Sequence, residues 1–302
     1  MKNTKIVVVG SSNTDMVIKA ERLPVPGETI IGGAFMMNPG GKGANQAVAA
    51  ARMGGDVTFI AKTGNDVFGQ QSIKQYSAEN IRTDYIFSDP ENPSGVALIA
   101  VDANGENSIL VASGANGTLS VKDIETAKNE IETAGLLLMQ LEIPIETVEY
   151  AAGIASQNNV KVVLNPAPAQ SLSNRLLQHL YIITPNKTEA EILTGIKVND
   201  WESAQSAADC LNEKGVEIVI ITLGAEGALV KEGNQYHRIA SEKVKAVDTT
   251  AAGDTFNGTL CVGLSEGLSV VDAVKMACKA SAIAVTRMGA QSSIPHRKEL
   301  EN

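Results

Sequence analysis

The sequence predicts an α/β fold of three layers, in which helices flank both faces of a doubly wound, mostly parallel β-sheet. Three observations carry this prediction. Short β-branched runs recur along the 302-residue chain, helix-like segments separate most of them, and several runs end at a glycine or a polar residue. Short apolar runs of this kind are typical of strands buried on both faces of a parallel sheet. We therefore expect a single α/β domain over residues 1–302.

The expected strands of this sheet cover residues 6–9, 57–60, 136–139, 160–164, 182–184 and 218–222. Helix-like segments between them include 66–78, 121–133 and 201–214, and two Ala-rich helices are expected at 252–267 and 270–286. Ligands of doubly wound sheets bind beyond the carboxyl ends of the strands. The residues that follow each run are therefore the first candidates for a site.

Two stretches, about 14–40 and 94–113, interrupt the alternation of strand and helix. Both are rich in β-branched or alternating residues, contain Pro and Gly turns, and lack a helical period. We expect them to meet as a small β-sheet lid, which would exclude water from a transfer reaction. Such a sheet leaves an apolar face and free edges uncovered, which favours a homodimer formed through the lid.

Composition limits the partners and the compartment. The net charge of −9 disfavours a nucleic-acid partner, whereas a small anion bound by backbone amides is compatible with it. The cysteines, Cys210, Cys261 and Cys278, are odd in number and widely spaced, which indicates neither a disulfide framework nor a zinc site. No apolar run approaches the roughly 18 residues of a membrane span. We therefore expect a cytoplasmic protein that binds no membrane.

Residues 248–258, DTTAAGDTFNG, lead into the first of the two C-terminal helices. Small residues at Ala251, Ala252 and Gly253 let backbone N–H groups approach an anion, and the helix dipole adds to the attraction. A carboxylate at Asp254 suits a base that takes a proton from an attacking hydroxyl. Acids in the first turn also simply stabilise helices, and this segment alone does not separate the two interpretations.

A glycine-rich segment, PGGKGANQA at 39–47, opens another predicted helix. Its glycines bring the backbone close to a ligand, and Lys42 and Asn45 add a cation and an amide. It is no Walker loop, because Gly43 follows the lysine where Ser or Thr is required. A tight turn that opens a helix would explain the same glycines.

Three further strand ends carry polar groups. Asn13 and Asp15 provide an amide and a carboxylate that suit neighbouring sugar hydroxyls, although Asx residues also form turns. Asn186 and Glu189 are spaced to order water around Mg²⁺, and a capping box has the same spacing. The glycine turn at 222–227 suits a nucleotide and equally a hairpin.

Taken together, these segments resemble the ribokinase-like family of carbohydrate and nucleoside kinases over nearly the whole chain. The motifs at 40–47 and 248–258 resemble the two family signatures and occur in the family's order. The resemblance implies a ribokinase-like fold. It also implies ATP-dependent, in-line phosphorylation of D-ribose at the 5-hydroxyl.

The resemblance also implies residue roles by positional match. Asp254 would be the general base, with Ala251, Ala252 and Gly253 as the anion hole. The sugar would contact Asn13, Asp15, Gly41, Lys42, Asn45, Glu142 and Asp254. ATP would contact Asn186, Glu189, Thr222, Gly224, Gly227, Gly253 and Cys278, with Asn186 and Glu189 supporting Mg²⁺. A K⁺ activator would contact Asp248, Thr250, Ala284, Arg287, Gly289 and Ser293.

Two alternatives stay open at this point. One is a related sugar kinase for 2-deoxyribose or fructose, or a nucleoside kinase, and the other is a non-catalytic sugar-binding or regulatory protein. Asn13 and Asp15 favour a ribose-type ring with vicinal hydroxyls. A base at Asp254 argues against a mere binding protein, which has no use for one.

Overall fold

A computed structural model describes residues 4–31, 33–103 and 107–301 of the chain. The strands are β1 (Ile6–Val9), β2 (Asn13–Lys19), β3 (Ala34–Gly40), β4 (Val57–Gly64), β5 (Arg82–Asp89), β6 (Gly95–Val101), β7 (Asn107–Ala112), β8 (Leu136–Met139), β9 (Lys161–Leu164), β10 (Ile182–Ile183), β11 (Ile218–Thr222), β12 (Ala228–Glu232) and β13 (Gln235–Ile239). The helices are α1 (Lys42–Arg52), α2 (Val67–Ala78), α3 (Val121–Thr126), α4 (Lys128–Glu132), α5 (Ile145–Gln157), α6 (Asn174–Leu177), α7 (Lys187–Thr194), α8 (Trp201–Glu213), α9 (Ala252–Ser265) and α10 (Val270–Ala284).

A nine-stranded sheet forms the centre of the molecule, in the order β13-β12-β11-β10-β9-β8-β1-β4-β5. All neighbours in it pair in parallel except those at the β11-β12-β13 edge. Two apolar clusters cover its faces. One includes side chains of α1, α9 and α10, and the other includes side chains of α3, α5 and α8. The predicted three-layer, mostly parallel α/β fold is therefore confirmed.

Some element bounds differ from the sequence prediction. The expected helix 121–133 is two helices, because the chain leaves regular helical geometry at Ala127 between α3 and α4. Strand β4 runs four residues beyond the predicted end at 60. The antiparallel hairpin of β12 and β13 was not predicted, since its outer strand β13 is polar and only partly buried and lacks the apolar run of a buried strand. Within the described ranges, no helix has the length and apolarity needed to span a bilayer.

The two stretches that break the alternation meet in a second sheet, as predicted, with the order β3-β2-β6-β7. Strand β2 pairs antiparallel with β3 and parallel with β6, so the sheet joins both stretches directly. Residues 32 and 104–106, which belong to the predicted lid, lie outside the described residues. Because side chains alternate along a strand, Asn13 and Asp15 share one face of this lid, and Met16 and Ile18 share the other.

Candidate active site

Asp254 lies in the first turn of α9 and is only 6% exposed. Both carboxylate oxygens accept hydrogen bonds from α1, at 2.9 Å each: Asn45 Nδ2 donates to Oδ2 and Gln46 Nε2 donates to Oδ1. Burial raises the pKa of Asp254, and the Lys42 ammonium and the two amides oppose that shift without reversing it. The residue predicted as the base is thus a buried, oriented carboxylate with an elevated pKa.

The backbone that precedes α9 turns sharply at Ala251, a non-glycine residue with a positive φ of 59°. The Ala252 N–H donates to the Thr249 carbonyl at 3.2 Å, so that amide is already engaged in this structure. A side chain at Gly253 would meet open space, which leaves the backbone there accessible to a ligand. The first N–H groups of a helix have no acceptor within it, so the tip of α9 offers donors to an anion.

The glycine-rich segment connects β3 to α1 and packs closely against the backbone at Asn13. Gly41 has φ +87°, and a Cβ there would lie 2.7 Å from the Asn13 nitrogen, so only glycine fits. The loop is anchored by Glu142, whose Oε2 accepts from the Lys42 N–H at 2.9 Å and from the Ser11 hydroxyl at 2.5 Å. Glu142 therefore joins the glycine loop to the chain that follows β8.

Lys42 is surrounded by carboxylates. Burial alone would lower its pKa, but the carboxylates outweigh burial and the pKa of Lys42 is raised. Their order of effect on Lys42 is Asp254, Glu142, Glu189 and Asp15. Because four carboxylates surround this ammonium group, the site carries a net negative charge, which favours the binding of additional cations.

The lid contributes an amide and a carboxylate to the same site. The Asn13 Oδ1 accepts from Asn116 Nδ2 at 2.7 Å, which leaves the Asn13 NH₂ group as the donor for a ligand. The Asp15 carboxylate lies directly over Gly40, within 2.4 Å of where a Cβ would be. Burial, then the charges of Glu142 and Asp254, raise the pKa of Asp15 to about 6.

The predicted nucleotide residues lie at the ends of β10 and β11. Asn186 caps α7 and forms a capping box with Glu189, in which each side chain accepts from the other's backbone N–H at 2.8 Å. Asn186 also forms a parallel bridge with Thr222, so the two candidate segments are adjacent. Burial raises the pKa of Glu189, and the carboxylate interacts electrostatically with Lys42 and Asp254. Glu189 therefore lies within electrostatic range of the same site.

The turn at 222–227 connects β11 to β12 as a hairpin with a 3₁₀ turn at Gly224–Glu226. Gly227 has φ +95°, and a Cβ there would lie 1.9 Å from the Ile239 carbonyl oxygen. Cys278 is buried on α10, and burial raises the pKa of its thiol to about 11. Cys278 belongs to the same apolar cluster as Ala228, the residue that follows the turn.

The proposed cation ligands lie in the turn before α9 and in the segment from the end of α10 to Ser293, and Asp248 joins the two. Its Oδ1 accepts from the Thr250 N–H (2.9 Å) and hydroxyl (2.6 Å), and its Oδ2 accepts from the Gly289 N–H at 2.8 Å. Burial alone would raise the pKa of Asp248, but these hydrogen bonds outweigh it and hold the pKa below its usual value. The Arg287 guanidinium pairs with Glu299, and Ser293 is buried with its hydroxyl bonded to Ala290 O. In the described part of the chain, no three His, Cys, Asp or Glu side chains cluster as metal ligands.

Sequence reasoning missed four buried amides in the site: Gln46, Asn116, Gln140 and Asn165. Gln140 and Asn165 directly follow β8 and β9, so the expectation that ligands lie beyond strand ends was a signal that would have found them. Gln46 stands inside the glycine-rich motif beside Asn45. Asn116 had no signal, because it lies in the 3₁₀ turn Gly114–Thr118 after β7 and reaches Asn13 only in the fold.

A buried, oriented carboxylate beside an amide-lined helix tip is the arrangement that phosphoryl transfer to a hydroxyl requires. Fold and site together define a kinase of small hydroxylated molecules.

Comparison with known proteins places the chain within this class. Residues 3–297 match the family model "pfkB family carbohydrate kinase". The chain is 49% identical over 294 residues to a ribokinase of Haemophilus influenzae, covering 97% of this chain and 96% of that protein. It is 39% identical over 291 residues to a deoxyribokinase of Salmonella typhi, covering 96% and 95%.

Among solved structures, the chain resembles an Arabidopsis thaliana ribokinase complexed with ribose and ATP. The TM-score is 0.92 at 31% identity, covering 99% of this chain and 97% of that one. The chain therefore belongs to the pfkB family of carbohydrate kinases.

Proposed function

We propose that this chain transfers the γ-phosphoryl group of ATP to the 5-hydroxyl of D-ribose, giving ribose 5-phosphate and ADP. The observation that carries the proposal is the buried Asp254 carboxylate, held by Asn45 and Gln46 at the tip of α9. Support for ribose and ATP comes from the Haemophilus influenzae ribokinase and from the Arabidopsis thaliana structure with both compounds.

The sugar is held by complementary groups from the lid and α1. Asn13 offers its NH₂ group as a donor, and Asp15 offers acceptor oxygens, a combination that suits the vicinal hydroxyls of ribose. Asn45 Oδ1 is buried, and no described residue donates to it. A sugar hydroxyl would satisfy this acceptor, which otherwise costs free energy when buried.

The chemical step follows from the position of Asp254. Its carboxylate takes the proton of the 5-hydroxyl as the oxygen attacks the γ-phosphorus, and the bond from that phosphorus to the β-phosphate oxygen breaks to release ADP. Backbone donors at the tip of α9 stabilise charge on the transferring phosphoryl group. The elevated pKa of Asp254 makes it a stronger base than an exposed aspartate.

Mg²⁺ fits the charge of the site. Four carboxylates face the single Lys42 ammonium before the ATP phosphates add further negative charge. Asn186 and Glu189 would hold the ion, through water, from the nucleotide side. When bound, Mg²⁺ neutralises phosphate charge during transfer.

K⁺ fits the loops joined by Asp248. The ionised Asp248 carboxylate holds Thr250 and Gly289 together, and the Asp248 N–H donates to the Val285 carbonyl at 3.2 Å. The ligand set is the one proposed above: Asp248, Thr250, Ala284, Arg287, Gly289 and Ser293. A cation held there would supply positive charge beside the turn that precedes α9. Asp248 itself positions the residues that lead to the anion hole.

We also propose that two chains pair through the lid. The face opposite to Asn13 and Asp15 carries large, exposed apolar side chains, the most exposed of which is Leu110 at 71%. The others on this face are Ile18, Phe35, Met37 and Leu98. Light scattering should give a dimer, and Leu98→Asp should shift it toward monomer. A monomeric wild-type chain would refute this pairing.

A cytoplasmic location is supported by the thiol chemistry. All three cysteines are free, and Cys261 and Cys278 are buried. Fractionation of cells that produce the protein would test the location, and recovery outside the cytoplasm would contradict it.

The decisive experiment measures ADP release with ribose, 2-deoxyribose, fructose and adenosine, each with Mg²⁺ or EDTA and with or without K⁺. We expect the highest kcat/KM with ribose, loss of turnover in EDTA and activation by K⁺. 5-Deoxyribose, which lacks the attacking hydroxyl, should bind without turnover. Preference for 2-deoxyribose would point instead to the activity named for the Salmonella typhi relative. ADP release with none of the sugars would refute the proposal.

A further inference from the structure

Gln46 makes three buried hydrogen bonds beneath the base. Its Nε2 donates to Asp254 Oδ1 at 2.9 Å and to Asn165 Oδ1 at 3.0 Å, and its Oε1 accepts from Gln140 Nε2 at 2.7 Å. The side chain of Gln46 is fully buried. None of these contacts involves the groups assigned to sugar or nucleotide above, apart from Asp254.

The network determines which way the Gln46 amide points. If the amide rotated by half a turn, its oxygen would face the Asp254 and Asn165 oxygens, and its NH₂ group would face Gln140 Nε2. All three contacts would then be repulsive, because acceptors would meet acceptors and donors would meet donors. The Asp254 carboxylate, which can only accept, and the Gln140 donor thus together keep the Gln46 NH₂ group directed at Asp254.

We propose that Gln46 is a positioning residue for phosphoryl transfer: its side-chain amide fixes the rotamer of Asp254 and holds the carboxylate in its ionised, proton-accepting form. The proposal rests on the function proposed above, in which Asp254 is the base. Asn45 donates to the other oxygen of Asp254, Oδ2. Both carboxylate oxygens are therefore hydrogen-bonded, and the carboxylate cannot rotate away from the attacking hydroxyl.

The electrostatics agree with this geometry. Burial raises the pKa of Asp254, and the hydrogen bond from Gln46 is one of the groups that oppose the rise. Among the described residues, the charged groups that interact with Asp254 are Lys42 on α1, Glu142 after β8, Asp15 on β2 and Glu189 on α7. The carboxylates among them favour the protonated form of Asp254, so the neutral donors of Gln46 and Asn45 help Lys42 to keep it ionised.

The test compares Gln46→Met and Gln46→Glu with wild type by pH profiles of kcat, of kcat/KM for ribose and of ribose affinity. The acid limb of each profile, where kcat falls as pH decreases, reports the pKa of the base. Loss of the donor in Gln46→Met should raise this pKa by about one unit. Gln46→Glu places a second carboxylate beside Asp254 and should raise it further. In both variants kcat at neutral pH should fall roughly 10- to 100-fold, while ribose affinity changes little.

Two further variants separate positioning from stability. Gln140→Leu does not touch Asp254 but removes the donor to Gln46 Oε1, which loosens the Gln46 side chain, so the acid limb should shift in the same direction by a smaller amount. Thr147→Val removes a fully buried side-chain hydrogen bond elsewhere in the fold, from the Thr147 hydroxyl to the Leu119 carbonyl at 2.7 Å. This control should lose comparable thermal stability and leave the acid limb unmoved.

The outcomes are distinguishable from failure of the proposed function. If wild type releases no ADP with any sugar, the function itself is wrong. If wild type is active but the acid limb stays at its wild-type position in both Gln46 variants, only the role of Gln46 is refuted. Should Gln46→Met fail to fold, the nearly isosteric Gln46→Glu and Gln140→Leu decide the question.

Discussion

The sugar side and the nucleotide side of the site are assembled by different kinds of contact. Around Asp254, hydrogen bonds join residues that are far apart in sequence, such as Asn45 and Asp254, which are 209 positions apart. Around Asn186, they join neighbours, as in the capping box with Glu189, three positions away. The first set is buried, whereas Asn186 is exposed.

This difference indicates how each side tolerates change. Long-range, buried contacts fix the proposed base and the proposed sugar ligands before any substrate arrives, so a single change there should remove chemistry. Local contacts at the nucleotide edge can re-form after a change, because the capping turn is specified by its own residues. Variants on the sugar side should therefore have larger effects than variants on the nucleotide side.

The largest expected effect is that of Asp254→Asn. An amide cannot accept the proton of the attacking hydroxyl, so kcat should fall roughly 10²- to 10⁴-fold. Ribose affinity, measured by calorimetry, should stay within a few-fold of wild type. Near-wild-type turnover in this variant would show that the base lies elsewhere.

The next comparison pairs Gly41→Ala with Gly224→Ala. Both glycines have positive φ, but a Cβ at Gly41 would lie 2.7 Å from the Asn13 nitrogen, whereas one at Gly224 would meet open space. Gly224→Ala should cost only about 1 kcal/mol in unfolding free energy. Gly41→Ala should cost more and should raise the KM for ribose sharply. Denaturant melts and kinetics check both, and equal costs would contradict the comparison.

The pH dependence of Asp15 should be smaller but characteristic. With a pKa of about 6, Asp15 loses its charge as pH falls through 6, so KM for ribose should rise roughly tenfold from pH 7.5 to pH 5. The same titration should stabilise the folded protein at low pH, although it weakens ribose binding there. The folded protein binds this proton more tightly than the unfolded chain, so the Asp15 contribution to stability decreases as pH rises from about 4 to 6.

Asp15→Asn tests this linkage. It should raise the melting temperature at pH 8 by a few degrees relative to wild type and by much less at pH 4, while weakening ribose binding at both. An unchanged melting difference across this pH range would show that the Asp15 carboxylate has an ordinary pKa.

The smallest expected effect belongs to Glu189→Gln on the nucleotide side. Removing a carboxylate that would act through water should raise KM for MgATP by up to roughly tenfold and leave KM for ribose unchanged. Glu226→Gln is the matched control, since Glu226 pairs with Lys187 on the same edge and is exposed. If both changes raised KM for MgATP equally, the nucleotide side of the site would act on MgATP only through its overall charge.

The same contrast explains what could be predicted from the sequence. Strand runs, glycine motifs and capping signals are local, and they correctly predicted the layered fold, the lid and the position of Asp254 at the start of α9. The partners of these residues depend on the fold. That Asn116 would orient Asn13, or that Gln46 would bridge Asp254 and Asn165, follows only once β2, α1 and α9 are packed together.

The hydrogen bonds to Asp254 also have a consequence for synthesis. Asn45 and Gln46 leave the ribosome early, but the carboxylate that they bind is more than 200 residues further along the chain. Nascent chains that already contain the glycine loop and the lid strands therefore carry unmatched interior amides until α9 emerges. Truncation products that end before residue 254 should accordingly recruit chaperones and be degraded rather than persist as sugar-binding fragments.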